Sequence, residues 1–403
     1  MRRVVVTGIG VLNAIGKNRT EFEQSLREGR CGIIPLTDPA HREFRFSNAA
    51  EVPNFNAADH FSLKEADMID RFAQFAVVAA REAVAHSGIE WTSDLRENSA
   101  IVTGSCIGGQ TTEDQGFFDV YKMGKPRVHP MTIPKTMANG GASAISLEFG
   151  ITGPTFTIAT ACSSSAHAIG QAFHMVRSGM CDVAIAGGSE APFSYGVLKA
   201  WEAMRVVSHD VCRPFSRDRN GMILGEGAAM LVIESYDHAQ ARGARPLAEI
   251  AGFGMSSDAH HITQPSAEGA AKAIRMALKD AAIAPEQIGY VNAHGTGTLV
   301  NDPTETRALH LAFGDHAKRL AVSSTKAMHG HTLGAAGAIE SAAAIIALST
   351  GILPATINFN EPDPDCDLDY IPNKAREAQV EYALSNSFAF GGLNAVLAFK
   401  SFS

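Results

Sequence analysis

A cysteine at a strand-to-helix junction is the first group in the sequence that could do chemistry. Cys162 follows an apolar run at residues 155–159 that is typical of a strand, and a stretch of small residues typical of a helix begins directly after it. The positive end of a helix dipole and its unpaired backbone N–H groups favour a thiolate. This position therefore predicts a lowered thiol pKa and a nucleophile. The alternative interpretation is a cysteine that only fills a tight turn.

A histidine in a glycine-rich turn is the second candidate. His294 ends the apolar segment 289–293, and Thr296 and Thr298 follow it between glycines. A histidine at the end of a strand can present its imidazole to a ligand, and the threonine hydroxyls can hydrogen-bond amides. The alternative is a packed loop histidine.

A third segment places polar groups in apolar surroundings. Lys326, His331 and Glu340 lie in a stretch rich in glycine and alanine, which allows close approach of the backbone. Because buried charges need partners, we expect an ion pair between Lys326 and Glu340. His329 is the alternative to His331 as the reactive histidine of this segment.

The elements that must position these groups occur twice along the chain. Alternating strand and helix patterns predict an α/β fold, and the duplication predicts two mainly parallel sheets packed face to face around shared central helices. The paired segments are strands 3–10 and 247–254, helices 72–88 and 270–282, strands 100–104 and 289–293, helices 163–178 and 335–349, and strands 228–234 and 395–400.

The repeat predicts a division into two halves. Residues 1–245 form an N-terminal half with the candidate nucleophile, and residues 246–403 form a C-terminal half with both candidate histidines. Residues 109–149 fit the plan of the first half poorly and contain several prolines, so we interpret them as a cap insertion.

Composition and charge exclude several classes of function. The 403 residues are 45% hydrophobic with a net charge of −8, which argues against a broad nucleic-acid interface. No uninterrupted apolar run approaches the roughly 20 residues that cross a bilayer, so we expect a cytoplasmic protein. The six cysteines show no CxxC spacing, so no metal site is expected. The glycines at the start of the chain lack the third glycine of a dinucleotide-binding fingerprint, because Asn13 stands there.

A set of longer stretches spans almost the whole chain in one order. They are VTGIG, TACSSSAHAIG, AGGSEAP, CRPFSRDRNGMILGEGAAMLV, GFGMSSDAHHIT, NAHGTGT, SSTKAMHGHTLGAAGAIE and NSFAFGG. Together they resemble the elongating, Cys-His-His type of β-ketoacyl-acyl carrier protein synthase. The stretches VLKAWEAMR, EPDPDCDLD and NAVLAFK are similar to the nodulation-factor subgroup. The resemblance implies a thiolase-like fold, in which duplicated halves form an α/β/α/β/α core.

The resemblance also implies a reaction. Cys162 would accept an acyl chain from acyl carrier protein, and malonyl on a second carrier would then lose carbon dioxide and attack that chain. Neutral His294 and His331 would hydrogen-bond the malonyl thioester oxygen, with Lys326 and Glu340 as the other catalytic positions. The product would enter fatty acid synthesis or a specialised pathway for nodulation-factor, very long or polyketide-like chains.

Further positions match the binding sites of this family. The implied oxyanion hole consists of the amides of Cys162 and Phe390, and phosphopantetheine would bind at Thr263, Thr296 and Thr298. The implied acyl pocket and gate are Ile107, Phe388 and Phe390, for which plain core packing is the alternative. A basic surface for the acidic carrier could include Arg71, Lys125, Arg127 and Arg205. The family also implies a homodimer and no cofactor.

The sequence departs from the family's common pattern at a few places. The second motif reads HGTGT followed by residues 299–302 (LVND), where many fatty acid enzymes have serine and proline. Leu393 stands after the last glycines, where threonine is usual. Ala327 and His329 stand where serine and threonine are common. None of these changes removes a catalytic group.

Rival functions differ in which groups they require. A degradative thiolase needs a second cysteine near the C-terminus, an initiating synthase has Cys-His-Asn, and a silent chain-length factor lacks the nucleophile. A non-catalytic carrier-binding scaffold and a Cys-His thioesterase remain as alternatives.

Overall fold

Strands and helices alternate along the computed structural model, which describes residues 1–38 and 43–402. The strands are β1 Val4–Asn13, β2 Ile34–Pro35, β3 Asn48–Ala49, β4 Ser99–Gly104, β5 Thr155–Ile158, β6 Val183–Glu190, β7 Gly227–Ser235, β8 Ala248–Ser257, β9 Ile288–Asn292, β10 Ala321–Ser323, β11 Ile352–Leu353, β12 Arg376–Glu377, β13 Tyr382–Ala389 and β14 Leu393–Ser401. The helices are α1 Arg19–Glu28, α2 Leu63–Met68, α3 Arg71–Ser87, α4 Ser93–Glu97, α5 Gln110–Phe117, α6 Thr132–Thr136, α7 Gly140–Phe149, α8 Ser164–Ser178, α9 Tyr195–Met204, α10 Tyr236–Ala241, α11 Ala267–Ala281, α12 Asn301–Phe313, α13 Lys326–His329 and α14 Ala336–Thr350.

The two halves of the chain build the same arrangement of strands. The strand order is β5-β4-β6-β7-β1 in the first half and β10-β9-β13-β14-β8 in the second. In these two orders β1 corresponds to β8, β4 to β9 and β7 to β14. These are the strand segments that the sequence repeat had matched. The predicted duplicated α/β fold is therefore confirmed, with element ends displaced by a few residues at most. The predicted division at residues 245 and 246 falls between α10 and β8 and stays a prediction.

Two features of the sheet differ from the prediction. The strands are mixed rather than mainly parallel, because β7 and β14 run antiparallel to their neighbours. The halves also join into one ten-stranded sheet, through pairing of Val5 with Glu249 and of Val6 with Ala248. Strand direction was hidden because β1 and β7 are buried along their full length, and such strands show no alternation that would reveal it.

Helices α8 and α14 lie at the centre, between the two halves. Each contacts strands of both halves, while α3 and α11 pack on the first and second half respectively. Residues Leu333–Thr350 are long and apolar enough to cross a membrane, but 89% of this segment is buried inside the protein. It is therefore a core helix of the fold. With α8 and α14 between the strands of the two halves, and α3 and α11 outside them, the layers follow the expected α/β/α/β/α order.

The segment proposed as a cap contains four short helical pieces. Residues 109–139 include α5, a π-helical turn at Phe118–Lys122 and α6, and they expose large apolar side chains such as Tyr121, at 81%. Helix α7 differs, because its residues Ala142 and Ile145 are buried in the core of the first half.

A glycine sets how closely the two central helices approach. A Cβ added to Gly337 of α14 would lie 2.8 Å from both the nitrogen and the Cβ of Ala166 in α8. Real Cβ atoms do not come this close to backbone, so the helices would have to separate.

We therefore expect Gly337→Ala to lower the free energy of unfolding by about 1–3 kcal/mol in a denaturant titration. Gly116→Ala in α5 is the control, because its nearest neighbour would be 3.5 Å away. That change should be neutral or stabilising by up to about 1 kcal/mol through helix propensity. Equal effects of the two substitutions would contradict this account of the helix contact.

Candidate active site

One cavity brings together the three candidate side chains. It has a volume of about 440 Å³, and Cys162, His294 and His331 all line it. Cys162 and His294 come shortly after the carboxyl ends of the parallel strands β5 and β9, where functional groups of α/β sheets collect. His331 follows β10 and the short helix α13. Both halves of the molecule thus contribute to the same site.

The chain turns sharply to present Cys162. A bridge joins Thr160 to Cys162, and Ala161 between them has a φ of 50°, a strained left-handed conformation for a residue with a side chain. Helix α8 begins at Ser164, so the thiol sits at the N-terminus of this buried helix. Cys162 is 7% exposed and lines the cavity.

The thiol pKa is the opposite of the predicted one. Burial raises the pKa of Cys162 to about 11, although the Lys326 ammonium and the backbone N–H groups of Phe390 and Cys162 act in the other direction. The helix terminus was the only influence visible in the sequence, and the loss of water around the sulfur outweighs it. The resting group is therefore a thiol at neutral pH.

His294 is held from both sides by charged residues. Glu305 accepts hydrogen bonds from the backbone N–H groups of His294 and Gly295 at 2.9 and 2.7 Å. The Nζ of Lys326 lies 3.4 Å from Nδ1 of His294. An ammonium has only protons to donate, so Nδ1 accepts and the ring proton resides on Nε2.

His331 reaches the same protonation state through a backbone group. The N–H of Leu333 donates to Nδ1 of His331 at 3.2 Å, which again places the ring proton on Nε2. The two rings are perpendicular, with centroids 5.4 Å apart. Burial and then the Lys326 charge lower the pKa of both His294 and His331 well below the usual value, so both are neutral donors at Nε2.

The expected ion pair between Lys326 and Glu340 is present. Both side chains are fully buried, and Nζ of Lys326 donates to Oε1 of Glu340. Burial raises the pKa of Glu340 to about 7, and the adjacent ammonium opposes this. The alternative histidine, His329, has its ring nitrogens bonded to Thr325 and Gly330 and is not among the described residues that line the cavity.

Most of the other predicted site residues also face the cavity. The lining includes Thr263, Thr296, Thr298, Phe388 and Phe390. The hydroxyl oxygens of Thr296 and Thr298 are 2.9 Å apart. A residue that the prediction missed, Trp201, lies in the same wall with its ring stacked on Phe390 at a centroid distance of 6.3 Å.

Ile107 is not brought to this cavity. Within the described residues it packs instead against a neighbouring apolar cluster that includes Leu198 and Leu333. Its loop is held there by Glu190, whose side chain is buried.

The predicted basic surface is wrong for at least one member. Arg71 forms a bidentate pair with the buried carboxylate of Glu226 and lies over the rings of Phe55 and Phe75, which makes it a structural cation.

The remaining basic residues differ in their surroundings. Lys125 pairs with Asp119 at 2.8 Å, and Arg127 is exposed. Arg205 is exposed at the end of α9 and lines the cavity.

Buried acids are the main class of site residue that sequence reasoning missed. Asp302 accepts hydrogen bonds from the backbone N–H groups of Phe215 and Gly297. Glu305 binds the backbone N–H groups of the His294 turn in the same way. An acidic residue within a run of small or apolar residues is the available signal, and Glu190 in AGGSEAP shows it. Among the described residues, no cluster of His, Cys, Asp or Glu is arranged to bind a metal ion.

Comparison with known proteins agrees with this geometry. Residues 1–239 match the family model "Beta-ketoacyl synthase, N-terminal domain", and residues 247–360 match "Beta-ketoacyl synthase, C-terminal domain". The chain belongs to the β-ketoacyl synthase family. Its members are acyltransferases that condense acyl chains, and this chain has the thiol and the histidines that such a condensation needs.

Relatives of this β-ketoacyl synthase match it from end to end. Nodulation protein E of Rhizobium sp. (strain N33) is 45% identical, with 99% of each chain covered. The 3-oxoacyl-[acyl-carrier-protein] synthase 2 of Staphylococcus aureus (strain COL) is 41% identical, with 100% of this chain and 99% of the relative covered. Both predicted resemblances, to the elongating synthases and to the nodulation subgroup, are confirmed.

Solved structures show the same fold over the whole chain. The ishigamide ketosynthase/chain length factor is 38% identical with a TM-score of 0.95, and all of both chains is covered. A ketosynthase in complex with its type II polyketide acyl-carrier protein is 31% identical with a TM-score of 0.90, again with 100% of both chains covered.

The raised pKa of Cys162 predicts how its reactivity depends on pH. Because only the thiolate is alkylated, the rate of iodoacetamide reaction at Cys162 should rise about tenfold per pH unit between about pH 7 and pH 9.5. Peptide mass spectrometry would follow this peptide, with Cys162→Ala as the background control. A rate that levels off near neutral pH would contradict the assignment.

Proposed function

We propose that this β-ketoacyl synthase carries an acyl chain on Cys162 and extends it with malonyl units delivered on acyl carrier protein. The observation that carries the proposal is the joint presence of one thiol and two Nε2–H imidazoles, those of His294 and His331, around a single cavity.

Acyl transfer to Cys162 is the first half-reaction. The sulfur attacks the thioester carbonyl of the acyl carrier, and the oxyanion that forms would be held by the N–H groups of Cys162 and Phe390. The same two N–H groups already hydrogen-bond the sulfur of Cys162 and oppose the rise of its pKa. The thiol proton leaves on the released carrier thiol, so the transfer balances without another reactant.

Decarboxylation of malonyl is the second half-reaction. Loss of carbon dioxide leaves an enolate, whose oxygen would accept hydrogen bonds from Nε2 of His294 and of His331. The enolate carbon then attacks the acyl group and releases the thiolate of Cys162, which takes up a proton from water to restore the thiol. Lys326 supports this step by donating to Nδ1 of His294, which keeps that ring in the donating form.

The cavity wall fits a substrate on a long flexible arm. Thr263, Thr296 and Thr298 offer hydroxyls for the amides of phosphopantetheine, and Phe388 and Phe390 would bound or gate the acyl chain. Exposed Arg205 suits the phosphate or the acidic carrier at the entrance. The known relatives act in fatty acid and specialised chain synthesis, and we assign this chain to one of these.

A second copy of the chain would complete the fold at β5. This strand is at the edge of the sheet, where unpaired backbone groups invite another strand, and Phe156 on it is 39% exposed. We therefore propose a homodimer. We also propose the cytoplasmic location that was expected from the sequence. A monomer in light scattering would contradict the dimer, and recovery of the protein in the membrane fraction would contradict the location.

Transfer of mass to Cys162 tests the proposal against a non-catalytic scaffold. Incubation with an acyl carrier thioester should add the acyl mass to the Cys162 peptide, and Cys162→Ala should show no addition and no condensation. Release of the free acid in place of a longer 3-oxoacyl thioester would favour the thioesterase alternative.

The two histidines should act mainly in the second half-reaction. We expect His294→Ala and His331→Ala each to lower malonyl decarboxylation by about 10²–10³, because a preorganised donor to the enolate is lost. Acyl transfer should fall much less. Measuring both half-reactions on the same variants decides the matter, and equal losses in both would refute the role assignment.

A further inference from the structure

Glu190 is a fully buried carboxylate that the reaction above does not use. It ends β6, and its Oε2 accepts hydrogen bonds from the backbone N–H of Cys106 at 2.8 Å and of Gly334 at 3.0 Å. Its Oε1 accepts from the hydroxyl of Ser105 at 2.8 Å and, more weakly, from the N–H of Ile107 at 3.4 Å.

These donors come from both halves of the molecule. Residues 105–107 follow β4 of the first half, whereas Gly334 belongs to the second half, just before α14. A single carboxylate oxygen therefore ties a loop of one half to a loop of the other.

The second of these loops determines the state of His331. Leu333, beside Gly334, has a φ of 49°, a conformation that a leucine keeps only when its neighbours hold it. From this conformation the N–H of Leu333 reaches Nδ1 of His331. The hydrogen bond from Gly334 to Glu190 is thus one residue away from the bond that places the proton of His331 on Nε2.

We propose that Glu190 is a positioning residue that fixes the Leu333 turn and thereby keeps His331 a donor at Nε2. This inference rests on the proposed function, because it gives Glu190 an effect on malonyl decarboxylation. Glu190 itself touches no reacting atom.

The hydrogen-bond pattern predicts which replacements work. A glutamine with its oxygen at the Oε2 position keeps the bonds to Cys106 and Gly334. Its NH₂ group can donate to the Ser105 hydroxyl, and only the weak bond from Ile107 is lost. An aspartate is one methylene shorter and cannot span both loops. An alanine leaves the backbone donors buried and unpaired.

The kinetic experiment compares Glu190→Ala, Glu190→Asp and Glu190→Gln with the wild type. With a short acyl primer, we expect alanine and aspartate to lower decarboxylation about 10–100-fold, as small misplacements of catalytic groups do. In the same two variants, the rate of acyl transfer to Cys162 should stay within about threefold of the wild-type rate. Glutamine should restore most of the decarboxylation rate. Aspartate keeps the test available if the alanine variant does not fold.

Glu82→Ala is the matched control for a purely structural loss. Glu82 on α3 likewise accepts from backbone N–H groups, those of Val11 and Arg19, at 2.8 and 2.6 Å, and it does not line the described cavity. This variant should lose stability while the ratio of the two half-reactions stays at the wild-type value. Equal losses in both half-reactions for the Glu190 variants, as for an unstable protein, would overturn the proposal.

A spectroscopic measurement separates this inference from the proposed function. In ¹⁵N-histidine spectra, the signals assigned by loss in His331→Asn should show a single Nε2–H tautomer in the wild type and in Glu190→Gln. Glu190→Asp should show a mixture of tautomers. An unchanged His331 signal in Glu190→Asp would refute the role of Glu190 whether or not the protein condenses acyl chains.

Discussion

The buried ammonium of Lys326 is the charge on which the rest of the site depends. It has no contact with solvent, and a charge so placed is tolerated only with a close partner, which Glu340 on the central helix α14 supplies. The same ammonium lowers the pKa of both cavity histidines and donates toward Nδ1 of His294. It also makes the Cys162 thiolate easier to form than burial alone would allow. One cation thus favours an anionic sulfur and neutral imidazoles together.

The duplicated fold explains how distant residues meet around this charge. Equivalent strands of the two halves end at the same cavity, so Cys162 before α8 and His331 before α14 occupy corresponding places. Small residues let the two helices approach closely, as at Gly337 and Ala166. Backbone N–H groups near the turns are then bound by buried carboxylates, which hold the loops without occupying the cavity.

The sequence predicted those parts of the molecule that depend on local chemistry. A strand-to-helix junction identified Cys162, and a glycine-rich turn after an apolar run identified His294. The apolar setting of Lys326 and Glu340 predicted their pairing. The repeat of segment types predicted the fold because each half must bury the same pattern of strands and helices.

The incorrect predictions concern properties set by residues far apart in sequence. The thiol pKa was predicted from the helix terminus alone, whereas burial of the folded site decides it. Arg71 resembled a surface cation because its partner, Glu226, lies far along the chain. Strand direction depends on long connections, so it could not be read from a local pattern.

The central claim is that two neutral imidazoles donate from Nε2 to one substrate oxygen beside Cys162. A crystal structure of Cys162→Ala with a non-reactive malonyl-pantetheine amide would test it most directly. We predict that the amide oxygen lies about 2.7–3.2 Å from Nε2 of both His294 and His331. Binding of that oxygen away from the two rings, or rotation of either ring so that Nδ1 faces the ligand, would contradict it.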